Sequence, residues 1–253
     1  MSLRILITND DGVDAPGLKV MREIAATLSD DVWVVAPDAN QSGASHRFTF
    51  GRELHLEERE PKVFAVVGGS PADCVVTGMT HVLRDKKPDL VLSGVNNGQN
   101  LGDIVNCSGT AAGAREGALH GALGIGISQA VNYEARLEID WANTRAHAVK
   151  VVKALLAEER APDVYYNVNI PFAPVVSGVR VVPTQRFAHS PMAYYASDNL
   201  GKFFIAIPKT PLPLDPHSDF HLLMHEDAIT VTPLRLQQSD HDLARRLDGR
   251  IRL

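Results

Sequence analysis

The sequence opens with "LRILITNDDG" at residues 3–12, a mainly apolar run that ends in Asn-Asp-Asp-Gly. The run is rich in β-branched residues, which predicts a strand over 3–8 that is buried on both faces, as in a parallel sheet. Asp10 and Asp11 then stand side by side at the end of that strand, where their like charges repel. A divalent cation would attract both carboxylates, and Gly12 would let the chain turn so that both face it.

Strands and helices alternate outward from this stretch through the first half of the chain. Further apolar runs predict strands at "VWVVAP" (32–37), "VFAVVGG" (63–69), "PDLVLSG" (88–94) and "LGIGIS" (123–128). Between them lie helical patterns at 18–28 and 109–122, and Ser70-Pro71 with Asp73 is typical of a capped helix start. This alternation predicts an α/β fold with a parallel sheet.

The second half has a different pattern. "WANTRAHAVKVVKALLAEE" (141–159) predicts a long amphipathic helix. Four short strands are predicted after it: "VYYNVNIP" (164–171), "GVRVVPT" (178–184), "KFFIAIP" (202–208) and "AITVTPL" (228–234). We interpret these as added strands and a hairpin rather than further βαβ units. Their exposed edges would invite pairing with a second chain, so we expect at least a dimer.

Composition narrows the function classes. The 253 residues are 45% hydrophobic with a net charge of −5 and no basic stripe, which argues against binding a nucleic-acid polymer. The two cysteines, Cys74 and Cys107, are far apart and lack CxxC spacing, as in a reducing compartment. No apolar run approaches the length of a membrane span, and because the first strand begins so early we expect no signal peptide. We therefore expect a cytoplasmic protein without a membrane partner.

In an open parallel sheet, ligands bind beyond the carboxyl ends of the strands. Four loop segments should meet at that edge: Asn9–Asp11, residues 37–46, residues 93–103 and residues 107–110. They offer carboxylates, hydroxyls and amides, with His46 nearby, and no Cys or His cluster at zinc spacing. Such oxygen ligands suit Mg²⁺, Mn²⁺ or Ca²⁺.

The fourth segment adds an anion site. Ser108, Gly109 and Thr110 stand where a helix N-terminus presents unpaired N–H groups, and glycine permits close approach. A metal beside an anion cradle indicates phosphate chemistry.

Each of these residues also has a simpler interpretation. Asn-Asp-Asp-Gly favours turns by itself, Ser42 could be a loop hydroxyl, and Asn96 a turn residue. Ser108 could be only an N-cap, and His46 a solvated histidine. What favours the functional interpretation is that all of these loops should open onto one edge of the sheet.

The motifs resemble a known family. "ILITNDDGVDAPG", "VVAPDANQSGASH", "GSPADCV", "PDLVLSGVNNGQNLG" and "SGTAAGAREGA" are similar, in this order, to those of the SurE family of metal-dependent nucleoside monophosphate phosphatases. The resemblance covers most of residues 3–130, and "YNVNIP" and "ITVTPL" extend it more weakly to residue 234.

The resemblance implies a Rossmann-like metal- and phosphate-binding core over residues 1–130. Residues 131–253 would then complete the fold and make the contacts of a homodimer or homotetramer. It implies that one divalent ion per subunit, Mg²⁺ or Mn²⁺, is held by four side chains, Asp10, Asp11, Ser42 and Asn96. The activity implied is that of a 5′-nucleotidase, and some members also act on 3′-nucleotides or polyphosphate.

Two residues depart from the family pattern and bear on substrate preference. Cys107 stands where an aromatic residue usually precedes Ser-Gly-Thr, and Gln41 stands where a basic residue is common.

Our hypothesis for the reaction assigns phosphate binding to the metal and to the Ser108–Thr110 cradle. Asp10 or Asp11 would either attack phosphorus or orient a water molecule. Asn9, Asn100 and His46 would contact the phosphate or the leaving group.

Two alternatives belong to other functional classes. A phosphorelay receiver domain also has paired acids after its first strand, but the corresponding loops here offer Ser42 and Asn96 instead of a phosphate-accepting Asp. A non-catalytic metal-dependent nucleotide sensor would need the same ligands as the enzyme, so turnover is what distinguishes the two.

Overall fold

A computed structural model describes residues 3–132, 139–206 and 213–251. The strands in chain order are β1 (Arg4–Thr8), β2 (Asp31–Pro37), β3 (His55–Glu60), β4 (Val63–Val67), β5 (Leu90–Asn97), β6 (Leu123–Gln129), β7 (Val164–Ile170), β8 (Gly178–Val181), β9 (Ala193–Ala196), β10 (Phe203–Ala206) and β11 (Ala228–Arg235). The α-helices are α1 (Pro16–Ala26), α2 (Pro71–Thr77), α3 (Gly109–Leu119), α4 (Ala142–Ala157), α5 (Asp219–His225) and α6 (His241–Leu247).

One sheet of nine strands runs through both halves of the chain, in the order β3-β4-β2-β1-β5-β6-β7-β11-β8. Its six central strands, from β4 to β7, are mutually parallel. β3 closes one edge antiparallel to β4, and at the other edge β11 is antiparallel to β7 and parallel to β8. The expected α/β fold with a mostly parallel sheet is confirmed. β9 and β10 form a separate antiparallel hairpin.

Side chains of β1 alternate between two cores. Ile5 and Ile7 pack with residues of α1 and α4 on one face, whereas Leu6 packs with residues of α2 on the other. All three are fully buried, as expected for a central strand with helices on both faces.

α3 lies unusually close to the sheet because its sheet-facing side carries glycines. A Cβ at Gly113 would come within 2.6 Å of the Ser93 Oγ, and one at Gly117 within 2.5 Å of the Val91 Cβ. Larger residues would push the helix away from β1 and β5. The close packing therefore fixes where the N-terminus of α3 meets the carboxyl edge of the sheet.

Three differences from the sequence predictions concern the nine-stranded sheet. β7 continues the parallel sheet after α4, so the segment from β6 to β7 is a further βαβ unit, contrary to our interpretation. β5 extends to Asn97, which places Asn96 in the strand instead of the loop, because it pairs with Ser128 of β6. β3 was not predicted, since "HLEERE" is polar and lies exposed at the sheet edge. The other predicted strands and helices are present, although residues 207–208 of "KFFIAIP" lie outside the described residues.

No helix within residues 3–132, 139–206 and 213–251 is long and apolar enough to cross a membrane.

Candidate active site

Asp10 is a buried carboxylate at the carboxyl end of β1, with 4% of its surface exposed. The Thr110 hydroxyl donates a hydrogen bond of 2.7 Å to its Oδ1. Burial raises the pKa of Asp10 to about 6; the bond from Thr110 acts in the opposite direction, and the negative charge of Asp11 adds to the increase. The site therefore holds a carboxylate whose charge is poorly stabilised by the protein alone.

Asp11 is half-buried and faces the ends of the two neighbouring strands. Its Oδ2 accepts a hydrogen bond of 3.2 Å from the backbone N–H of Asn97, and its Oδ1 accepts one of 3.4 Å from the Asn40 amide. Burial raises the pKa of Asp11, and the bond from Asn97 partly opposes this. Asp11 thus joins the loop after β2 to the end of β5.

The turn after β1 depends on Asn9 and Gly12. The buried Asn9 amide donates to the Gly12 carbonyl at 2.9 Å, and the Gly12 N–H donates to the Asn9 Oδ1 at 3.3 Å. Gly12 has φ +107°, and a Cβ there would lie 3.3 Å from the Ala39 backbone. The structure therefore places Asn9 in the turn that presents the acids.

The loop after β2 is held against the acidic turn. The backbone N–H of Gln41 donates to the Asp10 carbonyl at 2.7 Å, and that of Ser42 donates to the Asn40 Oδ1 at 2.8 Å. The Ser42 side chain is exposed. The Asn96 amide donates to the Gly98 carbonyl at 2.7 Å, and no hydrogen bond to its Oδ1 is found among the described residues.

The donor set fits a hard divalent cation. It consists of two carboxylates with raised pKa values, one hydroxyl and one amide oxygen, which is the ligand chemistry of Mg²⁺ or Mn²⁺. Within the described part of the chain, neither Asp10 nor Asp11 has a Lys, Arg or His partner, and no three His, Cys, Asp or Glu side chains cluster as a metal site. A cation would therefore supply the missing positive charge.

The N-terminus of α3 lies directly against Asp10. The Ser108 hydroxyl caps the helix by accepting from the Ala111 N–H at 3.0 Å. A Cβ at Gly109 would lie 2.7 Å from the Asp10 Cβ, so a glycine is required for this approach. Ser108, Gly109 and Thr110 thus lie beside the acidic turn, at the edge of the sheet where the sequence analysis expected these loops to meet.

His46 lies behind the cradle, where its Nε2 is 2.8 Å from the Glu116 Oε2. Glu116 is buried and also lies 3.0 Å from the His120 Nε2. His46 shares a small pocket with Ser108 and Arg115. The structure therefore places His46 near the cradle but already bonded to a carboxylate.

Asn100 is anchored away from the acids, towards β6 and β7. Its side-chain amide donates to the Ser128 hydroxyl at 2.9 Å, its backbone N–H donates to the Asn169 Oδ1 at 2.8 Å, and its carbonyl accepts from Asn167 at 2.8 Å. Asn100 has no direct hydrogen bond to Asp10 or Asp11 in the described structure.

Comparison with known proteins agrees with this architecture. Residues 5–190 match the family model described as "Survival protein SurE". The chain belongs to the SurE family. Relatives named "5′-nucleotidase SurE" include those of Methylobacterium nodulans, 41% identical over 94% of this chain and 95% of that protein, and Azorhizobium caulinodans, 42% identical over 97% of each.

A solved structure gives the same result at the level of the fold. The SurE protein from Aquifex aeolicus superimposes with a TM-score of 0.84 at 33% identity, covering 97% of this chain and 98% of that chain. Because the chain belongs to the SurE family, it is not a phosphorelay receiver domain, which was one of the two alternatives.

Sequence reasoning did not single out two arginines beside the site. Arg115, inside the motif that begins at Ser108, donates weakly to the His46 Nδ1 and to the Leu236 carbonyl, both at 3.4 Å, and its buried Nε has no hydrogen-bond partner among the described residues. Arg47 donates to the Gln41 Oε1 at 2.8 Å. Arg47 thus places a positive charge beside Gln41, the position where the family commonly has a basic residue.

Proposed function

We propose that this chain is a divalent-metal-dependent 5′-nucleotidase, which hydrolyses nucleoside 5′-monophosphates to nucleoside and phosphate. The observation that carries the proposal is the buried Asp10 carboxylate beside Asp11, packed against Gly109 at the start of α3. The names of the relatives support the same activity. Nucleoside 3′-monophosphates and short polyphosphate are the secondary substrates of this proposal.

Asp10, Asp11, Ser42 and Asn96 would hold one ion of Mg²⁺ or Mn²⁺ per subunit. The raised pKa values of the two acids and the available Asn96 Oδ1 support this set. The bound ion would neutralise charge on the phosphate as the ester bond breaks.

Ser108, Gly109 and Thr110 would bind the phosphate through the N-terminus of α3. The first N–H groups of a helix lack intrahelical partners and attract anions. The Ser108 cap and the Thr110 bond to Asp10 hold this turn in place.

In this proposal one of the two acids, Asp10 or Asp11, attacks phosphorus or orients a water molecule. Asp11 is the more exposed of the two, which favours it for contact with a nucleophilic water. Asn9 and Asn100 would support the site through their turn and loop positions, and His46 would meet the leaving group.

A second part of the proposal concerns assembly. The C-terminal strands would make the contacts of a homodimer or homotetramer. Val179 and Val181 on the edge strand β8 are 48% and 70% exposed, and Phe204 on the hairpin is 63% exposed. Apolar surface of this extent is typical of contacts between chains. We also propose a cytoplasmic location, on the basis of the two free cysteines.

The activity is tested by metal removal. Purified protein should hydrolyse AMP and p-nitrophenyl phosphate with Mn²⁺, lose activity in EDTA, and regain it when Mn²⁺ is restored. A non-catalytic nucleotide sensor would bind AMP without turnover. Full activity after exhaustive chelation, with no metal by elemental analysis, would contradict the proposed metal requirement.

A further inference from the structure

Arg115 is a cationic side chain with few partners in the described structure. It lies on α3, about two turns after Ser108, and its buried Nε has no hydrogen-bond partner among the described residues. Its bonds to the His46 Nδ1 and to the Leu236 carbonyl are weak, because each spans 3.4 Å. A guanidinium has five N–H donors, and a buried donor left unpaired costs free energy. Arg115 therefore has donors to offer to a ligand.

The Arg115 side chain lines a pocket of about 50 Å³ on one face of α3. The helix contributes four residues at i, i+3, i+4 and i+7, which share one face: Ser108, Ala111, Ala112 and Arg115. Gly109, which packs against Asp10, is not among the lining residues, and neither are Asp10 and Asp11. The pocket is therefore separate from the proposed metal site, although Ser108 borders both.

The volume of the pocket suits one small ion. A buried water molecule needs at least about 10–15 Å³ of free volume. The pocket thus has room for a few water molecules, which is comparable with the four oxygens of one tetrahedral oxyanion. Pockets for organic ligands span roughly 300–1,000 Å³, so a nucleoside is too large for this one.

The polar groups in the lining include several hydrogen-bond donors. The Ser108 Oγ accepts from the Ala111 N–H at 3.0 Å, and no acceptor for its O–H is found among the described residues. Tyr165 adds a hydroxyl and Gln238 an amide. Burial raises the pKa of Tyr165, and the positive charge of Arg115 opposes this increase, which shows that the charge acts on the hydroxyl. An anion in the pocket would be surrounded by O–H and N–H groups.

No Asp or Glu side chain lines the pocket. Glu116, the next residue after Arg115, is buried and bonded elsewhere, since its oxygens lie 2.8 Å from the His46 Nε2 and 3.0 Å from the His120 Nε2. The other nitrogen of His46, Nδ1, faces the Arg115 guanidinium. The imidazole of His46 thus stands between the carboxylate and the guanidinium, and the charge that the pocket itself presents is positive.

We propose that this pocket binds one phosphate-sized oxyanion, and that Arg115 pairs with it independently of the metal. A guanidinium matches two oxygens of such an anion in a forked pair of hydrogen bonds. The source of the anion rests on the proposed nucleotidase function. It is either free inorganic phosphate, which the reaction releases, or the far phosphoryl group of a substrate that carries more than one.

The first experiment measures the binding of inorganic phosphate to the full chain in EDTA by isothermal titration calorimetry. Without metal, the carboxylates of Asp10 and Asp11 repel an anion at the cradle, so binding reports on the Arg115 pocket. We expect saturable binding to the wild type. Arg115→Gln should weaken it at least about tenfold, because a charged hydrogen-bond donor is lost. Arg115→Lys should weaken it less, since it keeps the charge and loses only the fork.

Arg145→Gln is the matched control for the change in net charge. Arg145 lies on α4, and its guanidinium donates to Glu23 at 2.7 Å. Salt screens the charge of a residue outside the pocket, so the phosphate affinity should stay within about twofold of the wild type.

Three results would overturn the proposal. They are the absence of saturable binding to the wild type in the millimolar range, equal affinities of wild type and Arg115→Gln, and equal losses in Arg115→Gln and Arg145→Gln. If circular dichroism shows that Arg115→Gln does not fold, Tyr165→Phe decides. It removes a single hydroxyl and should weaken phosphate binding about threefold. An unchanged affinity in that variant would also overturn the proposal.

The second experiment distinguishes the two sources by hydrolysis with Mn²⁺. If the far phosphoryl group of a substrate occupies the pocket, Arg115→Gln should lower kcat/KM for tripolyphosphate at least about fivefold relative to that for p-nitrophenyl phosphate. If the ligand is free phosphate, this ratio should be unchanged. Either result supports the pocket. An equal loss for both substrates would place Arg115 at the reacting phosphate and would overturn the proposal.

The two proposals fail in different ways. If the wild-type protein hydrolyses neither AMP nor p-nitrophenyl phosphate with Mn²⁺, the nucleotidase function is wrong, and calorimetry in EDTA still decides whether the pocket binds phosphate. If the protein hydrolyses both and calorimetry detects no phosphate binding in EDTA, the Arg115 site is wrong and the nucleotidase function stands.

Discussion

The two halves of the chain differ in how many large apolar side chains they expose to solvent. Among the described residues up to 132, the exposed large apolar side chains are Phe50 and Leu119. The described residues from 139 onward expose many more: Phe172, Val175, Val179, Val181, Met192, Tyr194, Leu200, Phe203, Phe204, Ile205, Met224, Leu243, Leu247 and Ile251. The first half buries its apolar groups and gathers polar ones at the edge of the sheet.

The two halves of the chain therefore have different roles. The parallel strands of the first half are covered on both faces by helices, so their loops can hold charged groups in fixed positions. The strands added in the second half extend the same sheet but end in an exposed edge and a hairpin. We therefore expect substitutions in the first half to alter chemistry and folding, and those in the second half to alter assembly.

The largest effect should come from the acidic turn. Asp10→Asn or Asp11→Asn should lower AMP hydrolysis by at least about 10²–10³-fold, because each removes a charged group that would stabilise the reacting phosphate through the ion. In EDTA each variant should melt at or above the wild-type temperature, since one of two neighbouring negative charges is gone. In millimolar Mn²⁺ the order should reverse, as the wild type gains about 2.7 kcal/mol at a metal concentration near 100 times its dissociation constant.

Asp14→Asn is the matched control for this prediction, because Asp14 is exposed in the same loop. It should show the wild-type response to Mn²⁺ in melting curves. An equal metal-induced shift in all three variants would mean that the paired acids are not the metal site.

The next largest effect concerns assembly. Phe204→Asp places a charge on the hairpin, where Phe204 is 63% exposed, and should at least halve the molecular mass measured by light scattering. The matched substitution in the first half is Phe50→Asp, at a side chain that is 85% exposed, and it should leave the mass unchanged. If the wild-type protein is a monomer at micromolar concentration, the expectation that the second half makes contacts between chains is wrong.

A smaller effect tests how tightly the first half is packed. Gly117→Ala should reduce the free energy of unfolding by about 1–3 kcal/mol, because the new Cβ would lie 2.5 Å from the Val91 Cβ. Leu119→Ala, two residues along the same helix and half exposed, should change it by less than about 0.5 kcal/mol. Urea unfolding curves would measure both. Similar stabilities for the two variants would show that α3 can move away from the sheet.

The smallest effect concerns two ion pairs. Arg4 donates to Asp31 at 2.7 Å with both side chains mostly buried, and this bond lowers the pKa of Asp31. A carboxyl group whose pKa is lower in the folded than in the unfolded state stabilises the fold when the pH is above the unfolded-state pKa. This stabilisation is lost as the pH falls through the folded-state pKa. Asp31→Asn should therefore cost about 1 kcal/mol at neutral pH, and this cost should shrink as the pH falls through the lowered folded pKa of Asp31.

The matched pair is Arg145–Glu23, which joins α4 of the second half to α1. It has the same 2.7 Å separation, but about half of each side chain is exposed. Glu23→Gln should change the free energy of unfolding by less than about 0.5 kcal/mol, both at neutral and at acidic pH. Equal effects for the two pairs would show that burial does not distinguish them.

Much of the structure of the first half could be predicted, because the residues that are apolar in the sequence pattern are also the residues that are buried in the fold. The apolar run of β1 and the second half of β2 are buried on both faces, and the capping box of Ser70 and Asp73 begins α2 as expected. The family motifs pointed to the acidic turn and to residues 108–110 as candidate site residues, and the structure brings the two segments together at Gly109.

The rest could not be predicted because it depends on tertiary contacts. β3 is polar and exists because it pairs with β4, and α6 has no buried residue to give an apolar pattern. Arg115 lies on α3, and only the helix packing brings it to His46, 69 residues away in the sequence. The extension of β5 through Asn96 likewise follows from pairing with β6.

The pairing of β1 with both β2 and β5 also has a consequence for folding kinetics. Ile5 lies opposite Val32 on one side and Leu90 on the other, so the acidic turn acquires both neighbours only after a contact of high sequence separation has formed. Loop closure over such a distance is slow, and contacts of this kind complete late. If Asp10, Asp11, Ser42 and Asn96 hold a cation as proposed, that cation would bind a site absent from an early transition state. It would then slow unfolding and leave the folding rate almost unchanged, so that metal would lengthen the lifetime of the folded chain without speeding its formation.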